Sequence, residues 1–124
     1  MTLKTFYTDG GTANNGQHGN QKAVICITNA KGKKLIFKDI GDKTNNEAEL
    51  IAILECIKYH NKPLNIISDS QLAVNLVKHF WKTDKVHLQH ILYQIWDTNI
   101  PIEIEWQPRE NNKAGQIIEE KLGI

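Results

Sequence analysis

Two aspartates each follow a short apolar run, in Phe6-Tyr7-Thr8-Asp9-Gly10 and Ile66-Ile67-Ser68-Asp69-Ser70. In open α/β sheets ligands sit beyond the carboxyl ends of strands, so acids ending two neighbouring strands can meet in one site. Taken singly, an aspartate in that position is most often a turn former or a helix cap. A third acid comes from Thr44-Asn45-Asn46-Glu47-Ala48-Glu49-Leu50, which opens a helix. A glutamate there can simply serve the helix dipole. Glu49 lies beside Ile53 on the helical wheel, next to the apolar stripe, whereas Glu47 stands about 160° from Glu49 and is expected in solvent. Glu49 is therefore the third candidate. Grouped carboxylates supply the oxygen ligands that hard divalent cations prefer.

The elements that must position these acids follow from periodicity. Thr5 to Thr8 reads as a strand, and the Gly- and Asn-rich stretch from 9 to 21 as a turn region. Ala23 to Thr28 and Lys33 to Asp39 read as a hairpin around Asn29-Ala30-Lys31-Gly32. From Asn46 to His60, Leu50, Ile53, Leu54 and Ile57 recur at helical spacing, with Asn45 or Asn46 placed to cap the start. Pro63 ends that helix, and Leu64 to Ser68 is a strand leading to Asp69. Ser70 to about Trp81 is a second helix, with Leu72, Leu76 and Val77 or Phe80 on one face. His87 to Thr98 is a third. Ile102 to Trp106 alternates strictly as a strand does, and Asn111 to Leu122 forms a last helix. The order is βββαβααβα, an α/β fold in one domain spanning 1–124.

Composition adds exclusions. With 124 residues and 40% hydrophobic content the chain suffices for one core. No apolar run approaches the roughly 20 residues needed to cross a bilayer, and the start lacks the apolar centre of a signal peptide. A soluble, cytoplasmic monomer is expected. Cys26 and Cys56 lie in separate apolar stretches without CxxC spacing, which points to buried free thiols. The formal net charge of +1 gives no argument for nucleic acid, so local clusters must supply it. Lys31, Lys33 and Lys34 form one, and Lys78, Lys82 and Lys85 around Phe80 and Trp81 form another. His87 and His90 share a helix face but are expected on the surface rather than on a metal.

The segments Tyr7-Thr8-Asp9-Gly10-Gly11, Thr44 to Leu50, Ser68-Asp69-Ser70-Gln71 and Trp106-Gln107-Pro108-Arg109-Glu110-Asn111 occur in an order and context that resemble ribonuclease H of type 1. The resemblance spans Phe6 to Leu122. It implies a five-stranded mixed sheet flanked by helices and cleavage of the RNA strand of an RNA/DNA hybrid, giving 5′-phosphate and 3′-hydroxyl ends. It also implies two magnesium or manganese ions, with Asp9 bridging them, Asp69 on the ion serving the attacking water and Glu49 on the other. Gly10, Asn45, Asn46 and Gln71 match residues that read the 2′-hydroxyl, and Thr44 matches one that holds a phosphate of the DNA strand. Trp81, flanked by lysines, is a candidate for lining a DNA channel.

The sequence also departs from that family. Only Lys82-Thr83-Asp84-Lys85-Val86 joins the second and third helices, where many relatives carry a basic protrusion, and Trp106 to Asn111 lacks their histidine, leaving Arg109 or Glu110 as stand-ins. The fourth acid, counted from Asn111, falls on Gly115. Glu119 lies one turn on, within about 40° of Gly115, while Glu120 lies about 140° away. Glu119 is therefore the expected substitute, through a water-mediated metal contact. A hybrid-binding protein of this fold with weak or no catalysis is the alternative reading.

Overall fold

The computed structural model describes residues 3–80 and 82–123. Its elements are β1 (Lys4–Ala13), β2 (Lys22–Asn29), β3 (Lys34–Gly41), α1 (Asn45–His60), β4 (Leu64–Ser68), α2 (Gln71–Lys78), α3 (Val86–Asp97), β5 (Ile102–Trp106), a 3-10 turn (Arg109–Asn111) and α4 (Lys113–Leu122). The expected order is thus observed. The strands form one sheet in the order β3-β2-β1-β4-β5. β1, β2 and β3 pair antiparallel, while β4 runs parallel to both β1 and β5.

β1 is longer than its apolar run suggests. Gly10 to Ala13 stay paired to β2 as far as Ala13↔Lys22, so the turn is confined to the residues beyond. Asp9 consequently lies within the strand rather than at its end. The β1–β4 pairing, by contrast, stops at Tyr7↔Ile67. Beyond that point β1 continues without β4 paired to it, next to the carboxyl end of β4, where ligands of parallel sheets sit.

Opposite faces of the sheet carry different helices. On one face Leu50, Ile53, Leu54 and Ile57 of α1 pack on Phe6, Ile27 and Ile66, and Leu88, Ile91, Leu92 and Ile95 of α3 extend the same core. Full burial of such aliphatic side chains contributes roughly 1.5–3 kcal/mol each, so this stripe fixes where α1 lies. On the other face Ala114 and Ile118 of α4 cover Val24 and Cys26. α2 turns Ala73, Val74, Leu76 and Val77 inward. Leu72 is exposed at the start of the helix, and Phe80 is exposed beyond its end, because the helix stops at Lys78 and Phe80 has a left-handed backbone (φ 52).

The start of α1 corrects two expectations. Its cap is Thr44, whose Oγ accepts from the Glu47 amide, and Glu47 reaches back to accept from the Thr44 amide, a reciprocal capping box. Glu47 is therefore buried, not in solvent. Asn45 and Asn46 are left exposed in the first turn. α1 ends at Asn61, which takes the left-handed conformation (φ 56) ahead of Pro63.

Both cysteines are free and buried, and burial pushes their thiols up, Cys26 to about 11 and Cys56 to about 12. Among the described residues no helix is long and apolar enough to cross a membrane.

Candidate metal centre

Asp9, Glu49 and Asp69 each offer one carboxylate oxygen, and the three oxygens lie within 4.8 Å of one another. A different constraint delivers each acid. Asp9 sits on the central strand, on the face that α4 covers. Glu49 comes from the opposite face, in the first turns of α1, and reaches the gap where β1 continues past β4. There its Oε1 accepts from the Gly10 amide at 2.7 Å, and Ser68 donates to its Oε2 at 3.3 Å.

Gly10 is what permits this approach. A Cβ at that position would lie 2.3 Å from the Ala48 carbonyl carbon and 2.6 Å from the Glu49 nitrogen, both backbone atoms. Its amide is also engaged, donating to Glu49 Oε1.

Asp69 begins the turn into α2. Ser70 caps that helix by accepting from the Ala73 amide, and the Trp106 indole nitrogen donates to the Asp69 carbonyl at 3.1 Å. Asn112, fully buried, ties the remaining wall together. Its Nδ2 donates to the Thr8 carbonyl, while its Oδ1 caps α4 by accepting from the Ala114 and Gly115 amides. That bond to β1 seats the start of α4 beside Asp9. Sequence reading missed Asn112 and placed the helix start at Asn111; the signal available was an Asn followed by a helical run.

Gly115 then falls at the acids. A Cβ there would stand 3.2 Å from Asp9 Oδ2 and 3.6 Å from Asp69 Oδ2, so the position counted from the sequence lies beside two of the acids. Glu119 is not part of the cluster. Its Oε1 accepts from Arg109 Nε at 2.7 Å, and Arg109 Nη1 lies 3.1 Å from Asp69 Oδ2 and 3.7 Å from Asp9 Oδ2. Arg109, which the sequence offers only as a stand-in for a histidine, is thus the cation at the site among the described residues.

Electrostatically the centre is crowded. Burial, reinforced by the charge of Asp69, pushes Asp9 up to about 6. Glu49 is raised well above the usual carboxylate range, first by burial and then by the Asp9 charge. Both carboxylate oxygens of Asp9 are buried with no hydrogen-bond partner. Buried lone pairs without donors are costly, and a hard cation supplies what they lack. The donor set, all carboxylate oxygen, fits magnesium or manganese.

Of the other predicted residues, Asn45, Asn46 and Gln71 are exposed at the amino-terminal turns of α1 and α2, whose first turns adjoin: Asn46 and Ser70 line one small crevice. Asn15 orients this rim, its Oδ1 accepting from the Asn45 amide. Thr44 is half-buried in its cap. Trp81 lies outside the described residues; Lys78, Lys82 and Lys85 are exposed.

A model of the ribonuclease H family matches residues 2–114. Ribonuclease H of Clostridium botulinum is 36% identical over 84 residues, which cover 65% of this chain and 56% of that protein. The chain thus spans about half the length of the curated relatives it matches. RNase H1 from Halobacterium salinarum superimposes with a TM-score of 0.71 at 22% identity, covering 98% of each chain, a likeness of fold. LC11-RNase H1, solved in complex with an RNA/DNA hybrid, gives 0.71 at 25% identity over 96% of this chain and 99% of that one. A family match over nearly the whole chain, on a sheet whose order brings three acids from distant segments to one cleft, makes this protein a member of the ribonuclease H family.

Proposed function

We infer that this domain hydrolyses the RNA strand of an RNA/DNA hybrid, using divalent cations held by Asp9, Glu49 and Asp69. The observation that carries this reading is the meeting of one oxygen from each acid within 4.8 Å. Magnesium or manganese held by these three acids would supply an activated water and charge neutralisation at the leaving oxygen of an in-line displacement. In that displacement the water oxygen bonds to phosphorus as the bond from phosphorus to the 3′ oxygen breaks, leaving 5′-phosphate and 3′-hydroxyl ends. The chain's residues hold and orient. Ser68 and the Gly10 amide fix the Glu49 carboxylate, and Trp106 fixes the turn bearing Asp69. The exposed amides of Asn45, Asn46 and Gln71 are suited to 2′-hydroxyls across a wide minor groove. The Thr44 hydroxyl, which accepts from the Glu47 amide, can direct its proton to a phosphate of the DNA strand.

The test is cleavage of an end-labelled hybrid, beside RNA and DNA duplexes, in magnesium and in manganese. Only the RNA of the hybrid should be cut, the ends should extend with a polymerase, and Asp69→Asn should be inert. Undiminished cleavage by Asp69→Asn, or in the presence of a chelator, would refute the assignment. A hybrid-binding protein without catalysis is the second reading, favoured by the glycine at 115 and the guanidinium among the acids. It predicts retained hybrid binding and no cleavage in either metal.

A further inference from the structure

The cleft holds a feature that the proposed chemistry does not use. A permanently charged guanidinium addresses the same two oxygens, Asp9 Oδ2 and Asp69 Oδ2, that a side chain at position 115 would meet. We propose that Arg109 is a built-in competitor for divalent metal at the Asp9–Asp69 pair, and that Glu119 is the positioning residue that holds it there. The proposal rests on reading the three acids as a metal centre.

Several observations converge on it. Asp9 and Asp69 are almost wholly buried, with side chains 0% and 7% exposed, and among the described residues Arg109 is the basic side chain within ion-pair distance of either. At 46% exposure Arg109 keeps one side open to water, so it can leave the acids without unpacking a core. Its hydrogen bonds divide by nitrogen: Nη1 donates to Asp69 Oδ2, and Nε donates to Glu119 Oε1. A guanidinium bound through both a terminal nitrogen and Nε is fixed in plane and direction. Glu119 therefore points Arg109 at the acids. Gly115 has no side chain to contest those oxygens, whereas an aspartate there would add a fourth negative charge to the same atoms.

The chemistry follows from charge and ligand type. A guanidinium does not lose its proton in proteins, so it can be removed from the acids only by displacement. A hard cation must take the same oxygens, because carboxylate oxygen is what it binds here. The measured metal affinity is therefore an exchange constant, lowered by whatever holds Arg109 in place. This fixes the sign of the effect at Glu119. If Glu119 reached metal as a substitute for the acid missing at 115, removing its charge would weaken metal binding. As the tether of Arg109, its removal strengthens metal binding.

The experiment is titration of manganese into the whole chain by calorimetry, with free manganese followed by electron paramagnetic resonance, at neutral pH and without nucleic acid. Arg109→Gln should bind manganese about ten-fold more tightly than wild type and Glu119→Gln about three-fold more tightly, with Arg109→Lys between wild type and Arg109→Gln. In chelator, Arg109→Gln should melt below wild type, because the acids lose their counter-charge, and saturating manganese should erase the difference. Asp69→Asn separates the two layers of the argument. If Asp69→Asn binds manganese as tightly as wild type, the metal centre itself is misassigned. If Asp69→Asn abolishes binding while Arg109→Gln and Arg109→Lys leave it unchanged, the metal centre stands and the competition is refuted. Weaker binding in Glu119→Gln would overturn the tether and return Glu119 to the role of a ligand.

Discussion

Replacing Gly10 by alanine tests the geometry on which the centre depends. The added methyl would meet the Ala48 carbonyl carbon at 2.3 Å, its oxygen at 2.4 Å and the Glu49 nitrogen at 2.6 Å, none of which is a side-chain atom that can rotate away. Comfortable contacts between carbon atoms begin near 3.5 Å, so α1 must retreat from β1 by on the order of 1 Å at this point. Glu49 travels with it. A displacement of that size would carry its 2.7 Å bond to the Gly10 amide out of hydrogen-bonding range and open the group of oxygens. Overpacking of this kind costs about 1–3 kcal/mol, which for a domain of this size lowers the melting temperature by on the order of 10 °C. A misplacement of about 1 Å in a catalytic group can cost ~100-fold in rate. The assays are thermal denaturation by circular dichroism and single-turnover cleavage of a labelled hybrid. Gly11→Ala is the control, since its methyl would meet only the Ile118 and Leu122 side chains, at 3.1 and 3.6 Å, and should cost under about 1 kcal/mol. A Gly10→Ala protein that melts and cleaves like Gly11→Ala would refute the claim that backbone proximity sets the site.

Three further outcomes are expected. Asp9 is held at about 6 in the folded chain against 3.8 in the free group, so the folded state keeps its proton to higher pH, and stability in chelator should fall as pH rises from about 4 to 6; Asp9→Asn, lacking this penalty of up to about 3 kcal/mol, should melt above wild type at neutral pH and cleave nothing. Asn112→Ala removes a buried cap and leaves the Thr8 carbonyl without its donor, which should cost about 2–3 kcal/mol in a urea titration. Lys82→Ala or Lys85→Ala should each reduce the slope of log hybrid affinity against log salt by about one, measured by fluorescence anisotropy, and an unchanged slope in both would remove that patch from the binding surface.

The three acids were legible because each stands next to a strong periodic signal, and periodicity reports which side of an element is buried. What periodicity cannot report is the neighbourhood at an element's end. Glu47 was misjudged for that reason: the wheel describes a helix surrounded by its own turns, whereas a first-turn side chain can fold back over the residues that precede the helix, as Glu47 does to Thr44. The long β1 was hidden by Gly10 and Gly11, which argue for a turn in isolation but pair readily when β2 supplies the partner. Arg109 and Asn112 act across 40 and 104 residues of chain, on Asp69 and Thr8, and no local pattern encodes such a contact. Gly115 was located by counting alone; its closeness to Asp9 needed the packing of α4.

The two buried thiols lie in different cores. Cys26 packs with Ala114 and Ile118 beneath α4, and Cys56 lies with Leu50, Ile53 and Ile57 on the α1 side. Neither is reachable by an alkylating reagent while its layer is closed, and both are poor nucleophiles at neutral pH, so modification reports opening events and little else. The molecule therefore carries an internal pair of clocks, one per layer. Equal alkylation rates for the two cysteines would mean that the sheet sheds both coverings in a single cooperative event. Faster modification of Cys26 would mean that α4 peels away alone, taking Asn112, Gly115 and Glu119 with it and dismantling one wall of the acidic cleft while the α1 layer stays folded.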